Sequence, residues 1–137
     1  TIKVTALKRS RVAALRLFPG ISVDIIKNYL QPPIRGLILE TYGSGNAPED
    51  RELIETLKTA NDDGVIIVNC TQCMKGTVNM EGYATGTSLA KAGVISGFDM
   101  TPEAALAKLS FLLNQKLSVA KIKKMMQTDL RGELTRP

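Results

Sequence analysis

Arg16, Asn46, Thr71, Cys73 and Asp99 stand at or just beyond the ends of four apolar runs, and each carries a group that can hold a small polar ligand. Arg16 closes the run Val12-Ala13-Ala14-Leu15-Arg16-Leu17. A charge inside an apolar run is either paired at a sheet edge or aimed into a site, because an unpaired buried charge is very costly. Its planar fork suits a carboxylate. Asn46 lies in the glycine turn Tyr42-Gly43-Ser44-Gly45-Asn46-Ala47-Pro48, where it can either contact a ligand or cap the helix that follows. The third run ends in Asn69-Cys70-Thr71-Gln72-Cys73, and the fourth in Gly97-Phe98-Asp99-Met100-Thr101. Asp99 can equally support the start of the next helix. One rim lined by an arginine, amides, hydroxyls and thiols is a receptor for a small zwitterion such as an amino acid.

It is a poor catalytic site. The chain has no histidine, which removes the commonest general base and the commonest metal ligand together. No paired acids or activated nucleophile can be picked out. Gly43-Ser44-Gly45-Asn46 lacks the Lys-Ser/Thr and the longer frame of a phosphate loop. Cys70 and Cys73 are the only cysteines, and one Cys-x-x-Cys pair cannot complete a tetrahedral zinc site. A redox pair would place its first cysteine exposed at a helix N-terminus, whereas Cys70 reads as the buried tail of a strand. No metal or cofactor is expected, and two reduced thiols suit a cytoplasmic setting.

The elements that must position these groups follow from the apolar pattern. Runs at Val12–Leu17, Gly36–Leu39, Val65–Val68 and Val94–Gly97 read as strands, near-continuous as a parallel sheet covered on both faces requires. Helices fit between and after them. One begins after the cap Ser22, one has Pro48 at its first position, and one runs from about Tyr83 to Ala92. Another starts at Thr101-Pro102-Glu103 with Ala105, Leu109, Leu112 and Leu113 inward. The last follows the cap Ser118, with Val119, Ile122 and Met126 inward and Lys121, Lys123 and Lys124 outward. The tail Leu130–Pro137 reads as extended. The expected fold is α/β, a small four-stranded parallel sheet with helices on both faces, flavodoxin-like or doubly wound.

The chain has 137 residues, enough for one domain with a core of its own. Its net charge of +5 invites a nucleic-acid reading, but the excess is local. Lys3, Lys8, Arg9 and Arg11 fall in an N-terminal stretch without acids, and the remainder holds 14 basic and 13 acidic residues. With three Tyr, three Phe and no Trp to stack bases, nucleic acid is not an expected partner. No run approaches the roughly 20 apolar residues of a membrane span, and the start has no signal-peptide core. The first residue is Thr rather than Met, so a fragment or processed piece is expected. Residues 1–11 form a basic linker or leader and 12–137 the domain.

The rim segments, in order, resemble the C-terminal domain of bacterial-type L-asparaginases. The likeness is greatest to the cytoplasmic type I branch and the fused animal asparaginase/lysophospholipase proteins. It is carried by Leu15-Arg16-Leu17-Phe18-Pro19-Gly20, Glu40-Thr41-Tyr42-Gly43-Ser44-Gly45-Asn46-Ala47-Pro48, Val68-Asn69-Cys70-Thr71-Gln72-Cys73, Gly82-Tyr83-Ala84-Thr85-Gly86, Ala92–Thr101 and Leu130-Arg131-Gly132-Glu133-Leu134-Thr135. The resemblance implies an amidohydrolase that converts asparagine to aspartate and ammonia, working as a homo-oligomer, dimer or tetramer. Its threonine nucleophile would lie in an N-terminal domain whose Gly-Gly-Thr-Ile-Gly and Thr-Asp-Thr signatures are absent here, so no catalytic residue is expected in this chain. It also implies that Asn46, with Tyr83, completes the substrate pocket of a neighbouring subunit. Arg16, Thr71 and Cys73, with Asp99 added, match an allosteric asparagine site. The other readings are a stand-alone small-ligand module and a dimerisation module.

Overall fold

The computed structural model describes residues 1–135. Four strands, β1 (Val12–Arg16), β2 (Gly36–Thr41), β3 (Ile66–Thr71) and β4 (Ile95–Ser96), form one parallel sheet in the order β1-β2-β3-β4. Between them run α1 (Val23–Tyr29), α2 (Arg51–Asp62) and α3 (Ala84–Lys91), and α4 (Pro102–Leu113) and α5 (Val119–Met126) follow β4. The expected parallel sheet with helices on both faces is present. Its strand order differs from a flavodoxin-like or doubly wound sheet in having no reversal. All three crossovers step the same way, so α1–α3 gather on one face and the second is covered by α4 and α5 after the last strand.

Alternation along the strands divides the core accordingly. Leu15, Leu37, Leu39 and Ile67 pack with Ile26, Leu53, Leu57 and Leu89 on the α1–α3 side. Ile38, Ile66, Val68 and Cys70 pack with Ala105, Leu109, Leu112, Ile122 and Met126 on the other. Register aligns Arg16 with Glu40, Glu40 with Cys70 and Thr41 with Thr71, so the carboxyl ends of β1–β3 form one rim.

The caps are local. Ser22, Thr101 and Ser118 accept backbone N–H bonds at the starts of α1, α4 and α5. At α2 the expectation fails. Pro48 lies outside the helix and Asp50 is the cap, its carboxylate accepting from the N–H groups of Glu52 (2.8 Å) and Leu53 (3.2 Å). A carboxylate at the positive end of a helix adds a charge term to the hydrogen bonds, and Asp50 provides it where a proline cannot. Val119 is exposed rather than inward. Lys123 does not project freely: its Nζ donates to Asn61 Oδ1 and, at 3.2 Å, to the Gly93 carbonyl.

The tail is bent back rather than extended. Glu133 accepts from the N–H groups of Leu130 and Arg131, and Leu134 is buried against the α4–α5 side. Arg136 and Pro137 lie outside the described residues. Glu133 also meets Lys108, a lysine on the buried face of α4 that hydrophobic periodicity alone would have assigned to an apolar residue.

Candidate functional site

The rim opens into a cleft of about 480 Å³ on the α4 side of the sheet, lined by Arg16, Glu40, Thr71, Cys73, Lys75, Asp99 and Glu103 among others. Four of the residues singled out in the sequence, Arg16, Thr71, Cys73 and Asp99, therefore meet in one place. The other two do not belong to it. Asn46 and Tyr83 lie beside the N-terminus of α3, where the Thr85 hydroxyl donates to Asn46 Oδ1 at 3.1 Å. Tyr83 occupies the N-cap position of α3 without a side-chain cap bond and is 56% exposed.

Within the cleft the charges are mixed. Arg16 Nη2 and Nε donate to Glu40 Oε1 at 3.0 and 3.3 Å. The Arg16 side chain is 62% exposed, so the pair is wet on one side and worth little to stability. It is therefore open to exchange with an incoming carboxylate. Asp99 accepts the N–H of Thr135 at 2.7 Å, and the hydrogen bonds from Thr135 hold its carboxyl below the usual range. Asp99 thus ties down the tail rather than the start of α4, which Thr101 caps. The N-terminus of α4 adds a partial positive charge to the same cleft. Arg16 and Lys75 share the cleft with Glu40, Asp99 and Glu103, so it offers charge of both signs, as an α-amino acid carries.

Thr71 does something else. Its hydroxyl donates to the Gly43 carbonyl and accepts the Cys73 N–H at 3.0 Å, and the residue is buried. The hydroxyl proton is committed to the turn that carries Asn46. Thr71 therefore shapes both places, its side chain holding the glycine turn while the residue also borders the cleft.

Two supports were not read from sequence. Gln72 Nε2 donates to the carbonyls of Leu17 (2.6 Å) and Glu40 (2.9 Å), binding the ends of β1 and β2 together beneath Arg16. Asn69, fully buried, accepts from the Thr41 hydroxyl at 2.5 Å and donates to the Gly45 carbonyl at 3.1 Å. Gly45 has φ +112, and a Cβ there would stand 2.7 Å from Val78 Cγ1 and 3.1 Å from Asn69 Nδ2, so only glycine fits. The signal was a polar residue between Val68 and Cys70 in an otherwise apolar strand. Asn46 completes the turn, its backbone pairing with Tyr42 in both directions at 2.7 and 2.8 Å. It does not cap α2. Its Nδ2 has no protein partner among the described residues.

The cysteines are unlike. Cys70 is buried beneath Gly97, and burial, reinforced by Glu40 and Glu103, pushes its thiol up to about 12. At neutral pH it is a small hydrophobe, not a nucleophile. Cys73 is exposed at the cleft. Maleimide labelling of the native chain is expected to stop at one thiol, Cys73, with Cys70 reacting only in denaturant. Mass spectrometry of the native product with two adducts would contradict this burial.

The glutaminase/asparaginase C-terminal domain family matches residues 11–126. The chain is 52% identical over 124 residues to L-asparaginase 1 of Escherichia coli K12, covering 90% of this chain and 37% of that protein. It is 51% identical over 127 residues to the 60 kDa lysophospholipase of Mus musculus, covering 92% and 22%. Among solved structures, L-asparaginase I from Vibrio cholerae superposes with a TM-score of 0.92 at 54% identity, over 97% of this chain and 40% of that one. The chain thus spans little more than a third of the length of the L-asparaginase relative and about a fifth of the lysophospholipase. No helix among the described residues is long and apolar enough to cross a membrane.

Proposed function

The chain belongs to the glutaminase/asparaginase C-terminal domain family, and from that premise we propose that it is the non-nucleophilic C-terminal domain of an L-asparaginase. The parent converts asparagine to aspartate and ammonia in the cytoplasm, as a homo-oligomer, with its nucleophile in an N-terminal domain reached through the linker 1–11. Asn46 and Tyr83 complete the substrate pocket of a neighbouring subunit. The cleft of Arg16, Thr71, Cys73 and Asp99 takes asparagine as an effector.

The observation that carries this reading is the cleft itself: four residues from three strand ends converge on one opening with charge of both signs. There the exposed Arg16 exchanges its Glu40 partner for the effector carboxylate, and the acids that line the cleft receive the ammonium. Thr71 contributes by shape, since its hydroxyl is committed to Gly43. At the other place, Thr85 occupies the oxygen of the Asn46 carboxamide and leaves its nitrogen to donate. A donor of that kind binds the substrate carboxylate or carbonyl and holds it for a nucleophile supplied by another domain.

In the full-length parent, Asn46→Ala is expected to lower kcat/KM by roughly 10- to 100-fold, the loss of one hydrogen bond to a charged group. Arg16→Ala should keep the maximal rate and abolish any acceleration by added asparagine. The 137-residue chain alone should release no ammonia from asparagine. Turnover that persists through repurification would place a nucleophile in this chain and end the proposal. Tight asparagine binding by the isolated chain would favour a stand-alone ligand module instead.

A further inference from the structure

The basic stretch before β1 is not a loose tail. The Lys8 N–H donates to Asn114 Oδ1 at 3.2 Å, and the hydroxyls of Ser10 and Ser110 meet at 2.8 Å. The Arg11 carbonyl accepts from the N–H groups of Arg35 (2.8 Å) and Gly36 (3.3 Å). Asn114 is itself held by its Nδ2 donating to the Ser110 carbonyl at 2.8 Å. These bonds fold the stretch over the C-terminal end of α4 and border an open surface pocket of about 370 Å³. Its lining is Lys8, Arg9, Ser10, Arg11, Arg35, Ser110, Leu113 and Asn114, four cations and no acid. Among the described residues, none of those four cations has a carboxylate within 4.0 Å, whereas Arg16, Lys27, Arg51, Lys58 and Lys108 each do.

We propose that this pocket binds a small polyphosphate anion, either free or as the phosphate chain of a nucleotide. Four unpaired cations around one concavity repel each other until an anion of matching charge enters. A triphosphate carries about four negative charges at neutral pH, and arginine forks bind phosphate oxygens in pairs. The volume lies in the ordinary range for small-molecule sites. Ser10 and Ser110 add hydroxyls that can turn from each other to the ligand. The opposing charge is small. The end of α4 presents about half a negative charge, and Arg35 Nη1 already covers the Leu113 carbonyl there at 3.2 Å. Lys8, Arg9 and Ser10 also precede residue 11, where the family match starts. The pocket shares no lining residue with the cleft or with the turn carrying Asn46, and does not depend on their assignment.

The test is calorimetric titration of the 137-residue chain with sodium tripolyphosphate, with magnesium-free ATP and with a poly-glutamate peptide of equal charge. Tripolyphosphate should bind one to one, and raising NaCl from about 50 to about 200 mM should weaken it roughly tenfold or more. The exposed double variant Arg11→Gln/Arg35→Gln should lose at least about tenfold, and Lys58→Gln/Lys91→Gln, far from the pocket, should lose nothing. ATP binding no tighter than tripolyphosphate assigns the site to the phosphate chain alone. ATP at least about tenfold tighter assigns it to a nucleotide. The proposal fails if tripolyphosphate shows no saturable binding, if poly-glutamate binds as tightly, or if the arginine variant, folded by circular dichroism, binds unchanged.

Discussion

Replacing Lys108 by alanine is expected to destabilise the chain by about 3–5 kcal/mol, lowering Tm by roughly 10–15 °C. Lys108 is buried on α4, and its ammonium has three protons and three acceptors. These are the Met126 carbonyl at 3.1 Å, the Thr128 carbonyl at 2.6 Å and Glu133 Oε1 at 2.5 Å. One group thus joins α4, the C-terminal end of α5 and the returning tail. Removing it strands a carboxylate that is only 16% exposed, and an uncompensated buried charge is what makes such losses large. Burial alone would raise the Glu133 carboxyl, but the hydrogen bonds from Lys108 and from the backbone around Leu130 and Arg131 outweigh it and bring it down to about 2, against an ordinary 4.5. The folded-state value is the lower one, so the stabilisation is complete above about 4.5 and drains away as pH falls toward 2. It amounts to a few kcal/mol at most. Urea melts of the wild type between neutral pH and pH 3 should show this slope, and Glu133→Gln should flatten it. Lys108→Met/Glu133→Leu should cost less than Lys108→Ala, because both charges leave together. A single variant as stable as wild type would mean that the pair contributes nothing.

The parts of the fold visible in the sequence are those governed by short-range rules. Four apolar runs specify a buried parallel sheet, and Ser22, Thr101 and Ser118 specify three helix starts. What escaped depends on neighbours distant in the chain. Lys108 interrupts the apolar face of α4 because Glu133, 25 residues later, returns to meet it. Asp50 displaced Pro48 as the start of α2, since two bonds to its carboxylate outweigh a preset φ. The direction of each crossover is set by handedness and strand order, which no local pattern records. Among the site residues, Arg16, Thr71, Cys73 and Asp99 were found as a group because they share a rim, yet their individual roles were not visible. Thr71 points its hydroxyl at Gly43, 28 residues back, and Asp99 answers to Thr135. Gln72 looks like any polar residue after a strand until Leu17 and Glu40 are beside it.

Asn69→Leu is expected to cost about 2–4 kcal/mol in stability and, on the substrate role proposed for Asn46, to impair substrate use in the parent enzyme at a distance from the substrate. The leucine is nearly the same size, so no cavity forms. What is lost is satisfaction of two buried polar groups, the Thr41 hydroxyl and the Gly45 carbonyl, at about 1–3 kcal/mol each when no water replaces the amide. Thr41 can partly recover through its weaker 3.4 Å bond to the Cys70 carbonyl, whereas Gly45 has no such alternative among the described contacts. The turn then loses its tie at Gly45 and keeps the Thr71 bond to Gly43, the Asn79 N–H bond to the Ser44 carbonyl at 2.8 Å, the Thr85 bond to Asn46 and its own backbone pairing between Tyr42 and Asn46. Asn46 should lose its fixed approach while keeping its chemistry. Asn69→Leu should therefore raise KM in the parent more than it lowers kcat, in the direction of Asn46→Ala but by less. Asn69→Asp separates position from satisfaction. It retains the acceptor for Thr41 and loses the donor to Gly45, setting a carboxylate against a carbonyl, so its effect on the turn should be as large as that of leucine. If both variants melt like wild type, or if their KM is unchanged while stability falls, Asn69 is a core residue that does not position Asn46.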